Sequence, residues 1–273
     1  IRAVEVGAND FIAKPFDYTE ISVRTASLLR MKEAHDSLKR HKLELEGMVQ
    51  KRTESLRRAL DNMVETQRRL HEAQLETIQR LVAAAEFKDQ NTASHIKRMS
   101  RFSALLASNC GFSKGETELL LYASPMHDIG KIGTPEDILL KPSKLSEDEW
   151  PLMKQHTLIG ADILKESSSE LLQAGEVIAL THHERWDGSG YPHGLAGEDI
   201  PLWGRICAVT DVFDALTSER PYKPAYSNET AIKVLREGAG KHFDSNLVGC
   251  FLNNLDEVEN VQREINSPQP AAV

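Results

Sequence analysis

The sequence predicts an all-α protein, with a long N-terminal helix leading into a bundle of shorter ones. Residues 31–81 contain no proline and one glycine, Gly47, in a composition rich in Leu, Glu, Lys, Arg and Gln, side chains that lose little freedom on entering a helix. From residue 81 to about 265, apolar positions recur at mainly helical spacing. No stretch alternates convincingly as a half-buried strand would.

Residues 1–29 include Gly7-Ala8-Asn9-Asp10-Phe11-Ile12-Ala13-Lys14-Pro15-Phe16-Asp17. This run resembles the last strand region of a response-regulator receiver domain, with the stretch to Leu29 as that domain's final helix. The resemblance implies that residues 1–29 are the C-terminal remnant of an α/β receiver and that Lys14 is its phosphate-sensing lysine. It also implies that Lys14–Pro15 is cis and that the phosphate-accepting aspartate lies upstream of Ile1. A turn before an amphipathic helix is the plainer alternative.

Residues 30–80 are expected to form a coiled-coil signalling helix. Leu56, Leu60, Met63, Gln67, Leu70, Gln74, Thr77 and Leu81 follow the 4-3 spacing of a heptad seam, which favours a parallel homodimer. Leu45 and Leu56 are eleven residues apart, a four-residue stutter that unwinds a supercoil locally. A solvated helix packed on its own domain is the alternative.

The following domain, residues 81–265, is predicted to hold helices over roughly 75–109, 114–127, 147–165, 170–183, 201–217, 228–238 and 245–263. Ser113 with Glu116 and Ser146 with Glu149 have capping-box spacing. Pro151 falls in the first turns of the helix after the second pair. Residues 188–197, Gly-Ser-Gly-Tyr-Pro-His-Gly-Leu-Ala-Gly, form a loop by their turn residues. The tail, residues 266–273, is expected to be disordered.

With 33 Lys/Arg against 41 Asp/Glu, the net charge is −8, which argues against a nucleic-acid polymer as partner, since that would call for a basic stripe. An anionic small substrate would need metal ions and a few placed cations. The three cysteines, Cys110, Cys207 and Cys250, show no CxxC spacing, so neither a disulfide framework nor a thiolate zinc site is indicated. There is no apolar run of about 20 residues, and the opening residues are unlike a signal peptide. No membrane span and a cytoplasmic location are expected.

Five of the ten histidines, His95, His127, His156, His182 and His183, lie with Asp128 and Asp211 in otherwise apolar, helix-forming sequence. A lone histidine on such a face is usually a satisfied core residue. Seven polar groups in such settings need many partners, and a shared metal centre supplies them. Asp128 could bridge two ions while His127 binds one. Imidazole and carboxylate ligands without cysteine suit iron, manganese, nickel or zinc.

The string His182-His183-Glu184-Arg185-Trp186-Asp187-Gly188-Ser189-Gly190-Tyr191-Pro192, with His127-Asp128-Ile129-Gly130-Lys131-Ile132-Gly133 ahead of it, closely resembles the HD-GYP family of metal-dependent cyclic di-GMP phosphodiesterases. The resemblance covers about residues 81–250 and implies an HD-type helical bundle. It also implies the metal ligands His95, His127, Asp128, His156, His182, His183 and Asp211. Two divalent ions are expected, iron or manganese foremost, with nickel or zinc as alternatives.

Further roles follow by the same resemblance: Asp128 orienting the nucleophile, Lys131 near the scissile phosphate, Tyr191 shaping the site, and Arg220 and Lys223 holding substrate phosphates. The expected reaction is hydrolysis of cyclic di-GMP to pGpG, with onward cleavage to GMP open, as the output of a response regulator. A sensor histidine kinase would act through an intact receiver, and GGDEF-type or other signalling proteins are further partners. Many relatives carry Glu or Asp four residues before the first histidine, where it helps hold a third metal. Here that position is Asn91, which favours two ions, and Glu86, nine residues before His95, is a weak substitute. Hydrolysis of another cyclic or linear dinucleotide, or a catalytically weak adaptor that binds nucleotide or protein, are the alternatives.

Overall fold

The computed structural model describes residues 5–8, 10–12, 14–15, 17–89, 93–219 and 224–267. Among these the protein is all α, with two isolated bridges, Asp187 to Ala196 and Ala239 to Phe243, and no sheet. No helix among them is long and apolar enough to cross a membrane. The chain divides into two units, residues 1–71 and 72–273.

In the first unit, the described residues of 5–15 form no strand. A strand needs a neighbour to take its backbone hydrogen bonds, and the described residues supply none. The Lys14–Pro15 bond is cis. Helix α1, Tyr18–Glu86, starts where the Asp17 carboxylate accepts the Thr19 N–H at 3.1 Å, satisfying an orphan donor of the first turn. Ion pairs one turn apart, such as Glu65 with Arg69 at 2.7 Å, support it locally. Leu38, Leu45, Leu56, Leu60, Met63 and Leu70 are exposed along it.

The second unit takes in residues 72–86 of α1 and then α2 (Ala93–Asn109), α3 (Lys114–Ala123), a 3-10 segment (Ser124–Gly133), α4 (Glu136–Leu139) and α5 (Trp150–Leu164). There follow α6 (Glu170–Thr181), α7 (Leu202–Thr217), α8 (Asn228–Gly238), α9 (Ser245–Leu252) and α10 (Leu255–Asn266). The core brings Met99, Phe102 and Leu106 of α2 against Ile178 of α6, Ile206, Val209 and Phe213 of α7, and Phe251 of α9, all nearly inaccessible. Phe102, Phe213 and Phe251 pack edge to face, with ring centroids 4.9–6.4 Å apart.

Three boundaries depart from the predicted helices. The expected 75–109 helix is two, α1 ending at Glu86 and α2 beginning at Ala93. The expected 114–127 helix stops at Ala123, because Pro125 has no N–H to continue the α pattern and the chain tightens into 3-10 turns. The last helix breaks at Asn253 and Asn254, where Asn254 turns its side-chain amide back to the Cys250 carbonyl at 2.8 Å. The Ser113–Glu116 capping box is complete. At the second pair, Glu149 accepts the Ser146 N–H at 2.7 Å, but α5 starts after it at Trp150, with Pro151 in its first turn. Asn266, at the start of the expected tail, closes α10, and residues 268–273 lie outside the described residues.

Candidate metal centre

Every histidine and aspartate singled out as a ligand reaches one buried region of the second unit. His95 stands in the first turns of α2, His127 and Asp128 in the 3-10 segment, and His156 on α5. His182 caps α6, His183 follows it, and Asp211 lies on α7. Asp128, His156, His182 and His183 bring ligand atoms within 4.8 Å of one another, as do His95, His127 and Asp211.

The 3-10 geometry lets Asp128 serve both groups. Its Oδ2 lies 3.1 Å from His127 Nε2, while its Oδ1 lies 3.5 Å from His156 Nε2 and 3.7 Å from His182 Nε2. Three residues per turn also put Lys131 on the Asp128 face, with Nζ 2.7 Å from Oδ2. Lys88 donates to the Ile132 and Thr134 carbonyls at 3.1 and 2.7 Å, tying the end of α1 to this segment.

The histidines are set up as ligands by what their other nitrogens do. The Nδ1 of His127 faces the Ser124 carbonyl at 3.0 Å, that of His156 the Met153 carbonyl at 2.6 Å, and that of His182 the Ile178 carbonyl at 3.0 Å. The Nδ1 of His95 faces the Asp214 carboxylate at 2.7 Å. Since carbonyl and carboxylate oxygens only accept, Nδ1 carries the proton and Nε2 presents its lone pair. All four Nε2 atoms, and Asp128 Oδ1, are buried without hydrogen-bond partners. Such an arrangement is costly unless a cation takes the lone pairs, so the residues fit a metal centre.

The charges agree. Burial opposes the Asp128 carboxylate, yet Lys131 and His127 hold its pKa well below the usual range. Burial likewise opposes charge on His127, but Asp128, Asp211 and Glu86 outweigh it and raise its pKa to about 10. His156, where burial prevails, falls to about 4. Carboxylates facing the His127 nitrogen thus demand a positive charge there, which a metal ion supplies in place of a proton.

Tyr191 is held over this region by its loop. The buried Glu184 carboxylate accepts the N–H groups of His193 and Leu195 at 2.7 and 3.0 Å. A Cβ at Gly190 would strike the Glu184 and Arg185 backbone. The Tyr191 ring lies 4.8 Å from the His183 ring, with Lys154 Nζ 5.0 Å from its centroid. Arg220, Lys223 and Asn91 lie outside the described residues.

Residues 76–247, more than half of the chain, match the HD domain family. The chain belongs to the HD domain family. This family is metal-dependent, in keeping with the clusters around Asp128.

The chain is 41% identical over 259 residues, 95% of its length, to a cyclic di-GMP phosphodiesterase response regulator of Xanthomonas campestris. It is 42% identical over 188 residues, 69% of its length, to a 3'3'-cGAMP-specific phosphodiesterase of Vibrio cholerae. It spans 65% of the first relative and 36% of the second, under two thirds of each. A solved V. cholerae cyclic GMP-AMP-specific phosphodiesterase shares the fold, with a TM-score of 0.55 at 21% identity over 71% of this chain and 51% of that one.

Sequence reasoning does not single out the Asp214–Arg98 pair behind His95, and it offers Glu86 only as a weak substitute for Asn91. Glu86 follows Val82 by four residues and Ala85 by one, on a buried face of α1. Asp214 lies three residues after Asp211 in an apolar helix. For Glu86 and Asp214, an acid on a buried helix face was the available signal.

Proposed function

We propose that the second unit is an HD-GYP-type phosphodiesterase that hydrolyses cyclic di-GMP to pGpG. The observation that carries this reading is the sharing of Asp128 between two ligand clusters, the arrangement a two-ion phosphodiesterase requires. Two divalent ions, iron or manganese foremost, would be held by His95, His127 and Asp211 on one side and by His156, His182 and His183 on the other, with Asp128 common to both. The ions supply Lewis acidity, activating water and offsetting phosphoryl charge.

The chain's own residues do the rest. Asp128, ionised under the influence of Lys131, orients the nucleophile along one carboxylate edge. Lys131, at the rim of the same carboxylate, faces the charge that grows on the phosphoryl oxygens. Tyr191 closes the side next to His183 and limits water. Arg220 and Lys223 hold the remaining phosphate. Opening the ring to pGpG consumes one water and breaks one ester bond from phosphorus to a ribose 3' oxygen.

A response-regulator setting belongs to the same proposal: residues 1–29 as the remnant of a receiver that, when intact, answers to a histidine kinase, residues 30–80 as a dimeric coiled coil, a cytoplasmic location, and GGDEF-type proteins as associates. Cyclic GMP-AMP is the second substrate to consider, because a relative at 42% identity bears that specificity in its name.

Parallel turnover of cyclic di-GMP, pGpG and cyclic GMP-AMP by the manganese- or iron-loaded protein tests the reading. Cyclic di-GMP is expected to be cleaved fastest, with pGpG accumulating. No turnover of any of the three by metal-replete protein would overturn it.

A further inference from the structure

The last residue of α1 is a glutamate that the proposed ligand set does not use. Glu86 is 3% exposed, and neither carboxylate oxygen has a hydrogen-bond partner. One of its oxygens lies within 4.8 Å of ligand atoms of both His127 and Asp128. A second triad, His95 with His127 and Asp211, meets the same limit. The two triads overlap at His127, whose Nδ1 is engaged with the Ser124 carbonyl, leaving Nε2 as its one ligand atom. One imidazole nitrogen binds one ion, so the two triads are halves of a single coordination sphere.

We propose that Glu86 is a ligand of the ion held by His95, His127, Asp128 and Asp211, giving that position three carboxylates and two imidazoles. This rests on the two-ion reading above. The other position has three imidazoles, His156, His182 and His183, and only the shared Asp128. The two positions are therefore chemically unlike: the Glu86 side is oxygen-rich and suits a hard divalent ion such as manganese, while the His183 side is nitrogen-rich and suits a softer one. Glu86 ends α1 next to Lys88, whose ammonium holds the Ile132 and Thr134 carbonyls at 3.1 and 2.7 Å. The long helix thus ends in a residue that binds the metal.

The test uses the full chain, stripped and reloaded with manganese alone, then with cobalt alone for its visible absorption. Wild type is expected to take up two ions per chain. Glu86→Gln, which keeps the shape and removes the charge, should weaken uptake at one position about tenfold or more and leave the other within twofold, with the cobalt bands of one ion altered. Because Gln also removes a buried unpaired carboxylate, the apoprotein should melt at the same temperature as wild type or higher, while the metal-induced rise in Tm shrinks. Glu86→Asp, which keeps the charge on a shorter arm, should recover part of the affinity.

Two ions bound by Glu86→Gln with wild-type affinity, cobalt spectrum and Tm gain would overturn the assignment while leaving the two-ion reading standing. Failure of wild type to bind two ions would instead overturn the reading itself, and this inference with it.

Discussion

Asp214 Oδ2 accepts a hydrogen bond from His95 Nδ1 at 2.7 Å, and the consequence falls on the opposite ring nitrogen, which points at Asp211 from 3.8 Å. The carboxylate fixes the tautomer and makes Nε2 a stronger donor to a cation. Arg98 keeps Asp214 charged in a fully buried place, donating from Nε to Oδ1 at 2.5 Å and from Nη2 to Oδ2 at 3.1 Å. Although burial opposes its ionisation, His95 and Arg98 lower its pKa. Asp214→Asn is therefore expected to lower metal affinity at the His95 position by about 10–100-fold while leaving the position of His156 and His182 nearly intact. Titrating manganese into the stripped protein checks this, and unchanged two-site binding would refute it.

Gly130 couples the 3-10 segment to α5. A Cβ there would collide with the His156 carbonyl and the Gly160 backbone, neither of which can swing aside. Gly130→Ala is expected to cost about 1–3 kcal/mol or more through overpacking. The strain falls on the backbone of a proposed metal ligand, so metal binding at the His156 position should weaken as well. Thermal melts with and without metal measure both effects, and a wild-type melt would show that the two segments can separate freely.

The candidate residues stand out in sequence because each is a polar residue in an apolar helical context, and the fold brings His95, His127, Asp128, His156, His182, His183 and Asp211 together. Residues that act one layer out were not, because their partners are distant in sequence. Asp214 meets His95 across 119 positions, and Lys88 meets Thr134 across 46. Nothing in local periodicity joins such pairs. Helix existence was legible from the 3.6-residue pattern, whereas the ends were decided elsewhere, by Pro125 after Ala123 and by the Asn254 side chain turning back on Cys250. Glu86 reads only as a weak substitute for Asn91, because its nine-residue distance from His95 gives no sign that His127 and Asp128 are its neighbours in space.

His242, outside the proposed ligand set, gives the fold a pH dependence of its own. Its ring stacks on Phe243, centroids 4.0 Å apart, and burial, helped by Arg185, lowers its pKa to about 4. An unfolded chain protonates that ring near pH 6.5. The stability it contributes is complete above about pH 6.5 and is lost as pH falls toward 4, because the unfolded state binds the extra proton. His156 shifts in the same direction, so His242→Asn should remove part of the acid loss and not all of it. Between pH 7 and 4.5 the variant's Tm should fall less than wild type's, by roughly 2–4 °C if about 1 kcal/mol of linkage survives partial exposure. Parallel slopes would exclude His242.

The exposed stripe on α1 leads to the last prediction. Leu60 and Leu70 are 53% and 59% exposed in a single chain, and α1 has the 4-3 spacing of a two-stranded seam around them. Burying a fully exposed leucine contributes roughly 1.5–3 kcal/mol, so the half-exposed Leu60 and Leu70 in both chains of a dimer would supply about 3–6 kcal/mol before the cost of association, and the rest of the seam adds to it. A micromolar dimer needs about 8 kcal/mol. Leu60→Glu with Leu70→Glu is thus expected to convert a dimer at micromolar concentration into a monomer, read by light scattering. All ligand clusters belong to the second unit of one chain, so the monomer should still bind metal with the wild-type stoichiometry. A wild type that is already monomeric would remove the seam as an interface, and loss of metal on dissociation would mean that the site depends on the partner.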